Sequence, residues 1–370
     1  MDNQVIIIGA GPAGLSAART LLREGIDFTL VDSREFPRGK GCGGGLTPRA
    51  LKTLEEVFPE IDAQGFSART LTLFKNAVEG QREIVTYDSK KPIFRVVDRK
   101  SFDHLLLQSI LERGGNFLRM SVRELIKTEG GFAVNTDQMS LHSKYVIVAS
   151  GVFGARLAGL EAPRYNIICH GRAPSTNKAS ITYIPNGYLW RFPCSDFDSI
   201  GGGVYPDAPD STSYNEILKI ATETFGRAVE FSGAPIPLFQ TERVLELNKS
   251  FEGLFFVGDS AGLVDNWTGE GISFALNSGR QAALSIVEDG LKDKKAMERY
   301  LERLFPIVRH LQIADAFRKR FNANFERNLA LLKNDKFSRL FVNYISGYVK
   351  SPFALAFKSL LTAGIRTRST

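Results

Sequence analysis

A chain of 370 residues is long enough for one large core or two modest domains. Its composition, 43% hydrophobic and 24% charged, is that of a globular protein. Three scattered cysteines exclude a disulfide scaffold or a zinc site, so no metal and a reducing, cytoplasmic compartment are expected.

The first element is the β-branched run Val5 to Ile8, expected as a short buried strand, and no signal peptide is expected before it. It runs into Gly9-Ala10-Gly11-Pro12-Ala13-Gly14, a helix over 15–24, and a second strand over 28–31 that ends in Asp32. Strand, glycine turn, helix, strand and acid follow one another as a dinucleotide site requires. Gly9 permits the tight turn and Gly11 lets the backbone approach a pyrophosphate. Gly14 lets the helix pack on the sheet, and Ala13 belongs to the helix N-terminus that faces the phosphates. Asp32, with Ser33 and Arg34 after it, is placed for the adenosine ribose.

Next comes Lys40-Gly41-Cys42-Gly43-Gly44-Gly45-Leu46, whose glycines allow a flat ring close to the backbone. Short β-branched or aromatic runs over 70–75, 93–97, 180–184, 187–192 and 199–205 predict a mostly antiparallel sheet inserted into the nucleotide fold. Within them Tyr188 and Trp190 are two apart, so they share one strand face and Leu189 and Arg191 the other. A last buried strand over 251–257 closes in Gly258-Asp259, and Gly269-Glu270-Gly271-Ile272 opens a helix.

From residue 291 the pattern is helical. No apolar run reaches the roughly 18–20 residues of a membrane span, so the chain is not expected to cross a bilayer. The net charge of +7 is unevenly placed: from residue 301 thirteen Lys and Arg face four acids, a local +9 that leaves the rest at −2. Aromatics alternate with these cations. Such a segment suits a helical layer with an apolar inner face, or peripheral contact with anionic lipid. No nucleic-acid motif accompanies it, and no nucleic-acid partner is expected.

The late strand ending in Gly258-Asp259 resembles the second fingerprint of the para-hydroxybenzoate-hydroxylase-like flavoproteins. That resemblance implies FAD, with Asp259 on the ribityl chain, Gly269, Gly271 and Ile272 at the flavin pyrimidine edge, and Arg99 of Asp98-Arg99-Lys100 reaching the cofactor. The chain departs from the pattern at Ser150, where many relatives carry Asp. The Cys42-Gly43-Gly44 loop and Tyr188-Leu189-Trp190-Arg191-Phe192-Pro193 together resemble the geranylgeranyl reductase family. This implies an FAD-dependent reductase of isoprenoid double bonds, with the loop of Cys42, Gly43 and Gly44 beside the flavin. An isolated alkene also needs a proton, and a thiol kept neutral in an apolar pocket makes Cys42 the expected catalytic donor. Tyr188, Trp190, Phe192 and Trp267 would wall an isoprenoid lipid substrate, and NADPH or ferredoxin would be a transient electron donor. Asn266 stands where that family has Pro. The alternative function is an FAD-dependent monooxygenase or halogenase-like enzyme on an aromatic or apolar substrate.

The expected fold is α/β: a Rossmann-type FAD-binding domain over 1–65, 92–165 and 241–290, an inserted β-sheet substrate domain over 66–91 and 166–240, and a C-terminal helical layer over 291–370.

Overall fold

The computed structural model describes residues 2–63, 65–77, 80–204, 214–290 and 295–347. Strand Asp2–Ile8 lies at the centre of the first sheet, parallel to Phe28–Asp32 on one side and to Ser140–Val148 on the other. Asn116–Arg119 and Leu254–Phe256 extend the parallel set outward, and the hairpin Val122–Thr128/Gly131–Thr136 pairs antiparallel with the start of Ser140–Val148. Val5, Ile6, Ile7, Val146, Ile147, Val148, Leu254, Phe255 and Phe256 are all fully buried. Both faces of these strands are covered, which is why their sequence is continuously apolar rather than alternating. Helices Pro12–Arg23 and Ile272–Glu288 pack together over the sheet, where the Ser16 hydroxyl donates to the Leu276 carbonyl (2.6 Å).

The second sheet has seven strands, in the order Phe231–Pro237, Tyr165–Pro174, Phe197–Val204, Gly187–Cys194, Ala179–Ile184, Thr70–Ala77 and Gly80–Asp88. It is antiparallel except where Ala179–Ile184 runs parallel to Thr70–Ala77. Helix Tyr214–Phe225 covers one face through Ile217 and Ala221, which pack with Leu189. On the other face stand Ile181, opposite Trp190, and Tyr183, opposite Tyr188. The expected strand over 93–97 is not part of this sheet. Phe94–Val96 instead joins Gly45–Leu46 and Phe66–Ala68 in a three-stranded sheet.

The C-terminal region is helical, as Ala296–Ala323, Phe325–Leu331 and Asp335–Ile345. Its aromatics Phe317, Phe321, Phe337, Phe341 and Tyr344 face inward, in one core cluster with Leu71, Leu73, Ile181 and Tyr183 of the second sheet. The cations Lys350, Lys358, Arg366 and Arg368 of the basic tail lie outside the described residues. Among the described residues no helix is long and apolar enough to cross a membrane.

Candidate functional site

One cavity of about 760 Å³ opens where the two sheets meet. Its first end is the glycine turn after Asp2–Ile8. Gly9 has φ +104°, a conformation reserved for glycine, and a Cβ on Gly14 would lie 1.9 Å from the Gly9 carbonyl oxygen. Gly14 therefore does not line the cavity but lets the helix seat against the turn. A Cβ on Gly11 would meet only Arg38 Nη2, at 3.8 Å, so the space before it is open. Gly11 is also the N-cap of Pro12–Arg23 and provides no side-chain cap, leaving first-turn amides for an anion. Asp32 holds this end in shape: its Oδ2 accepts from the Ala10 N–H (2.7 Å) and its Oδ1 from the Arg34 N–H (2.8 Å). Ala13, Ser33 and Arg34 complete the wall. An open glycine face, a free helix end and a fixed carboxylate fit the diphosphate and ribose of FAD.

Behind the turn is a cluster that sequence reasoning missed. Asp103, fully buried, accepts from Arg99 Nε and Nη2 at 2.7 Å each, and Arg38 Nη1 lies 3.4 Å from the same carboxylate. Arg38 also donates to the Ala10 carbonyl (3.3 Å), so it spans from Asp103 to the glycine turn. Burial opposes the charge on Arg99, but the Asp103 carboxylate, with Cys42 after it, raises its pKa further above the usual arginine range. The i,i+4 spacing of Arg99 and Asp103 was a readable signal; nothing local tied Arg38 to either.

Cys42 lies in the loop between the turn and the second sheet. Its Sγ accepts from the Gly44 N–H (3.4 Å), and its carbonyl accepts from the Ser199 hydroxyl (3.3 Å). The thiol is half-buried and faces a guanidinium, not the wholly apolar surroundings expected for a proton donor. Gly43 is covered by Phe192 and Trp190, whose atoms would stand 3.2 Å from a Cβ there, and Gly44 lies against the Val97 carbonyl.

The opposite wall is the segment from Gly258 to Ile272. Gly258 is inside the wall, its N–H donating to the Ser278 hydroxyl (2.9 Å), and Asp259 lines the cavity. Gly269, Gly271 and Ile272 line it too, and helix Ile272–Glu288 starts at Gly271 with no side-chain cap. The loop before them is held by Asp265, whose Oδ1 accepts from the Trp267 and Thr268 N–H groups (2.8 and 3.1 Å). Asn266, standing where a proline was expected, is a buried clamp. Its Oδ1 accepts from the Phe239 N–H (2.8 Å), and its Nδ2 donates to the Phe239 carbonyl (3.1 Å) and Asp315 (3.0 Å). A side-chain amide thus fixes the loop that a ring would have stiffened. Glu270 faces the cavity and accepts from Thr47 and Arg49 (2.5 Å each), while Arg49 reaches His310 Nε2 at 3.2 Å. Ser150, in place of an acid, is exposed at the cavity rim.

Burial alone would raise the Asp265 pKa, but His310 nearby and the two loop N–H groups lower it below 3.8. A depressed pKa stabilises the fold above the unfolded value and loses that contribution as pH falls. The stability deficit of Asp265→Asn, read from urea midpoints, should be full at neutral pH and shrink below about pH 3.8. A deficit unchanged from pH 7 to about 3 would contradict the assignment.

Beyond Gly43 the cavity becomes apolar. Tyr188 and Trp190 share one strand face, ring centroids 6.3 Å apart, and the Tyr188 hydroxyl donates to the Thr268 carbonyl. Phe192 packs against Phe94 at 4.8 Å, and Trp267 lies among Phe317, Phe321, Phe341 and Tyr344. All four expected wall residues line this arm. Trp190 has room because Gly201 lies under its ring, where a Cβ would come within 2.3 Å.

Residues 2–164 match the family described as FAD binding domain. The chain is 28% identical to digeranylgeranylglycerophospholipid reductase 2 of Methanothermobacter thermautotrophicus, over 90% of this chain and 88% of that one. A geranylgeranyl bacteriochlorophyll reductase-like protein from Thermoplasma acidophilum superposes with a TM-score of 0.74 at 20% identity, covering 96% of this chain and 95% of that one. A flavin-dependent brominase superposes with a TM-score of 0.70 at 18% identity, with both chains fully covered. At such identities the two structures speak for the fold alone. Residues 2–164 thus match an FAD binding domain and carry the open glycine turn and the Asp32 clamp that this cofactor needs, on a chain that shares its fold with these two proteins.

Proposed function

We propose that this protein is an FAD-dependent reductase that saturates double bonds of an isoprenoid chain on a lipid or prenylated precursor. The observation that carries the reading is one continuous cavity, polar at the glycine turn and aromatic at the arm, with Cys42 at the junction. An isoprenoid needs such an arm: it has no polar group along its length, so its recognition is burial against apolar walls. The relative named as a digeranylgeranylglycerophospholipid reductase supports the same substrate class.

Saturating an isolated alkene takes a hydride and a proton; bound FAD, reduced by NADPH or ferredoxin, would supply the hydride. The residues of this chain do the rest. Trp190, Phe192 and Trp267 hold the alkene and exclude water. The Cys42 thiol gives its proton to the second alkene carbon. The thiolate left behind faces the Arg99 guanidinium and the Gly44 N–H, which stabilise it until water returns a proton.

Reduced protein under argon should be re-oxidised by a prenyl substrate, with the saturated product found by mass spectrometry. Re-oxidation that requires oxygen would favour the monooxygenase or halogenase reading instead. Cys42→Ser keeps the size of the side chain but is a far weaker acid. It should bind FAD and accept electrons normally yet reduce the alkene at least tenfold more slowly, or about 1.4 kcal/mol of barrier. Turnover at the wild-type rate would leave bound water as the donor.

A further inference from the structure

We infer that Phe341 and Ile345 set the length of the apolar chain the cavity admits, an inference that rests on the isoprenoid reading above. Both lie on helix Asp335–Ile345 and both line the cavity. Their i,i+4 spacing puts them on one helix face, one turn apart. Phe341 is almost fully buried, its ring centroid 5.3 Å from Trp267 and 6.0 Å from Tyr183. Trp267 and Tyr183 line the same arm from the loop and from the second sheet, so the helix closes the space between them. Phe321 stands behind Phe341 at 6.2 Å, leaving it little room to retreat.

The helix itself is fixed at both ends. At its start the Asn334 side chain accepts from the Lys336 and Phe337 N–H groups. Near its end the Tyr344 hydroxyl donates to Asp265 Oδ2 (3.3 Å), the residue that holds the loop before Gly269. The end wall is thus braced against the loop beside the FAD site. On this inference a chain that reaches Phe341 and Ile345 fills the arm, and one more isoprene unit must displace a braced helix.

Binding can be read without turnover, because the chain has two tryptophans and both, Trp190 and Trp267, line this cavity. The test is tryptophan fluorescence of the oxidised, FAD-loaded protein titrated with geranyl, farnesyl, geranylgeranyl and geranylfarnesyl diphosphates. Wild type should gain about tenfold or more in affinity with each added unit until a limiting length, and nothing beyond it. Ile345→Ala and the milder core change Phe341→Leu should each tighten the first over-long homologue by about fivefold or more and leave shorter ones unchanged. The same limiting length in wild type and both variants overturns this inference alone. No response to any of the diphosphates, in wild type or variants, overturns the isoprenoid reading and this inference with it.

Discussion

Gly11→Val should fold with the wild-type circular dichroism spectrum and flavin-free melting temperature, yet bind FAD at least about a hundredfold more weakly. Gly11 has φ −86° and ψ −179°, an extended conformation open to any residue, so valine brings no backbone strain. Nor does its Cβ clash, since only Arg38 Nη2 comes within 4 Å of a Cβ there. Because Gly11 lines the cavity, the added methyl groups intrude on the space a diphosphate needs. Gly14→Val is the control with the opposite character. Its Cβ would overlap the Gly9 carbonyl oxygen at 1.9 Å, so it should lose the fold along with the cofactor. Absorbance of the purified protein at the flavin bands gives occupancy. A Gly11→Val protein that purifies fully yellow would place the FAD elsewhere.

Asp103→Asn should cost about 3–5 kcal/mol of stability although it changes no volume. The carboxylate is fully buried and is the counter-ion of Arg99, itself 7% exposed, with Arg38 in reach of the same oxygen. An amide cannot balance them. Its NH₂ would also turn a donor toward one guanidinium, where the carboxylate now accepts. Arg99→Met in the same chain removes the stranded charge and should recover a good part of the loss. Urea unfolding of the two variants against wild type measures this, and a loss below about 1 kcal/mol for Asp103→Asn would show that water already solvates the cluster.

The sequence was most informative where one local stretch carries a whole device. Val5 to Asp32 holds strand, turn, helix and acid in succession, and the structure uses them in that order. Tyr188 and Trp190 announced a shared face by strand geometry alone, and the pairing of Trp190 with Ile181 places that face toward the cavity. Strands Gly80–Asp88, Gly131–Thr136, Tyr165–Pro174 and Phe231–Pro237 were missed, and two of them are edges. Gly80–Asp88 is an edge strand with an exposed start, and Phe231–Pro237 tolerates two prolines because it, too, is an edge. Strand 93–97 was seen but its partners were not, since pairing with Gly45–Leu46 depends on contacts far apart in the chain. The same reason hid Arg38 beside Asp103 and Arg49 beside Glu270, pairs separated by 65 and 221 residues. The aromatics of the C-terminal segment had two open readings, lipid or core. Contacts with the second sheet, invisible in the local sequence, put five of them in the core.

The packing of helix Pro12–Arg23 on Ile272–Glu288 bears on how the chain is made. The N-terminal helix leaves the ribosome early, but the surface it rests on is encoded some 260 residues later: Ser16 donates to Leu276, and Gly279 lies so close that a Cβ there would be 2.0 Å from the Ala13 carbonyl oxygen. Strand Leu254–Phe256, which completes the parallel sheet beside Ser140–Val148, is also a late arrival. The nascent chain must therefore carry a half-built nucleotide site, with Val146 to Val148 lacking a neighbour, until residues 254–288 have been made. A fragment ending at residue 164 should accordingly expose that edge, bind the dye ANS and retain no flavin, and it is in this interval that a chaperone would find the chain.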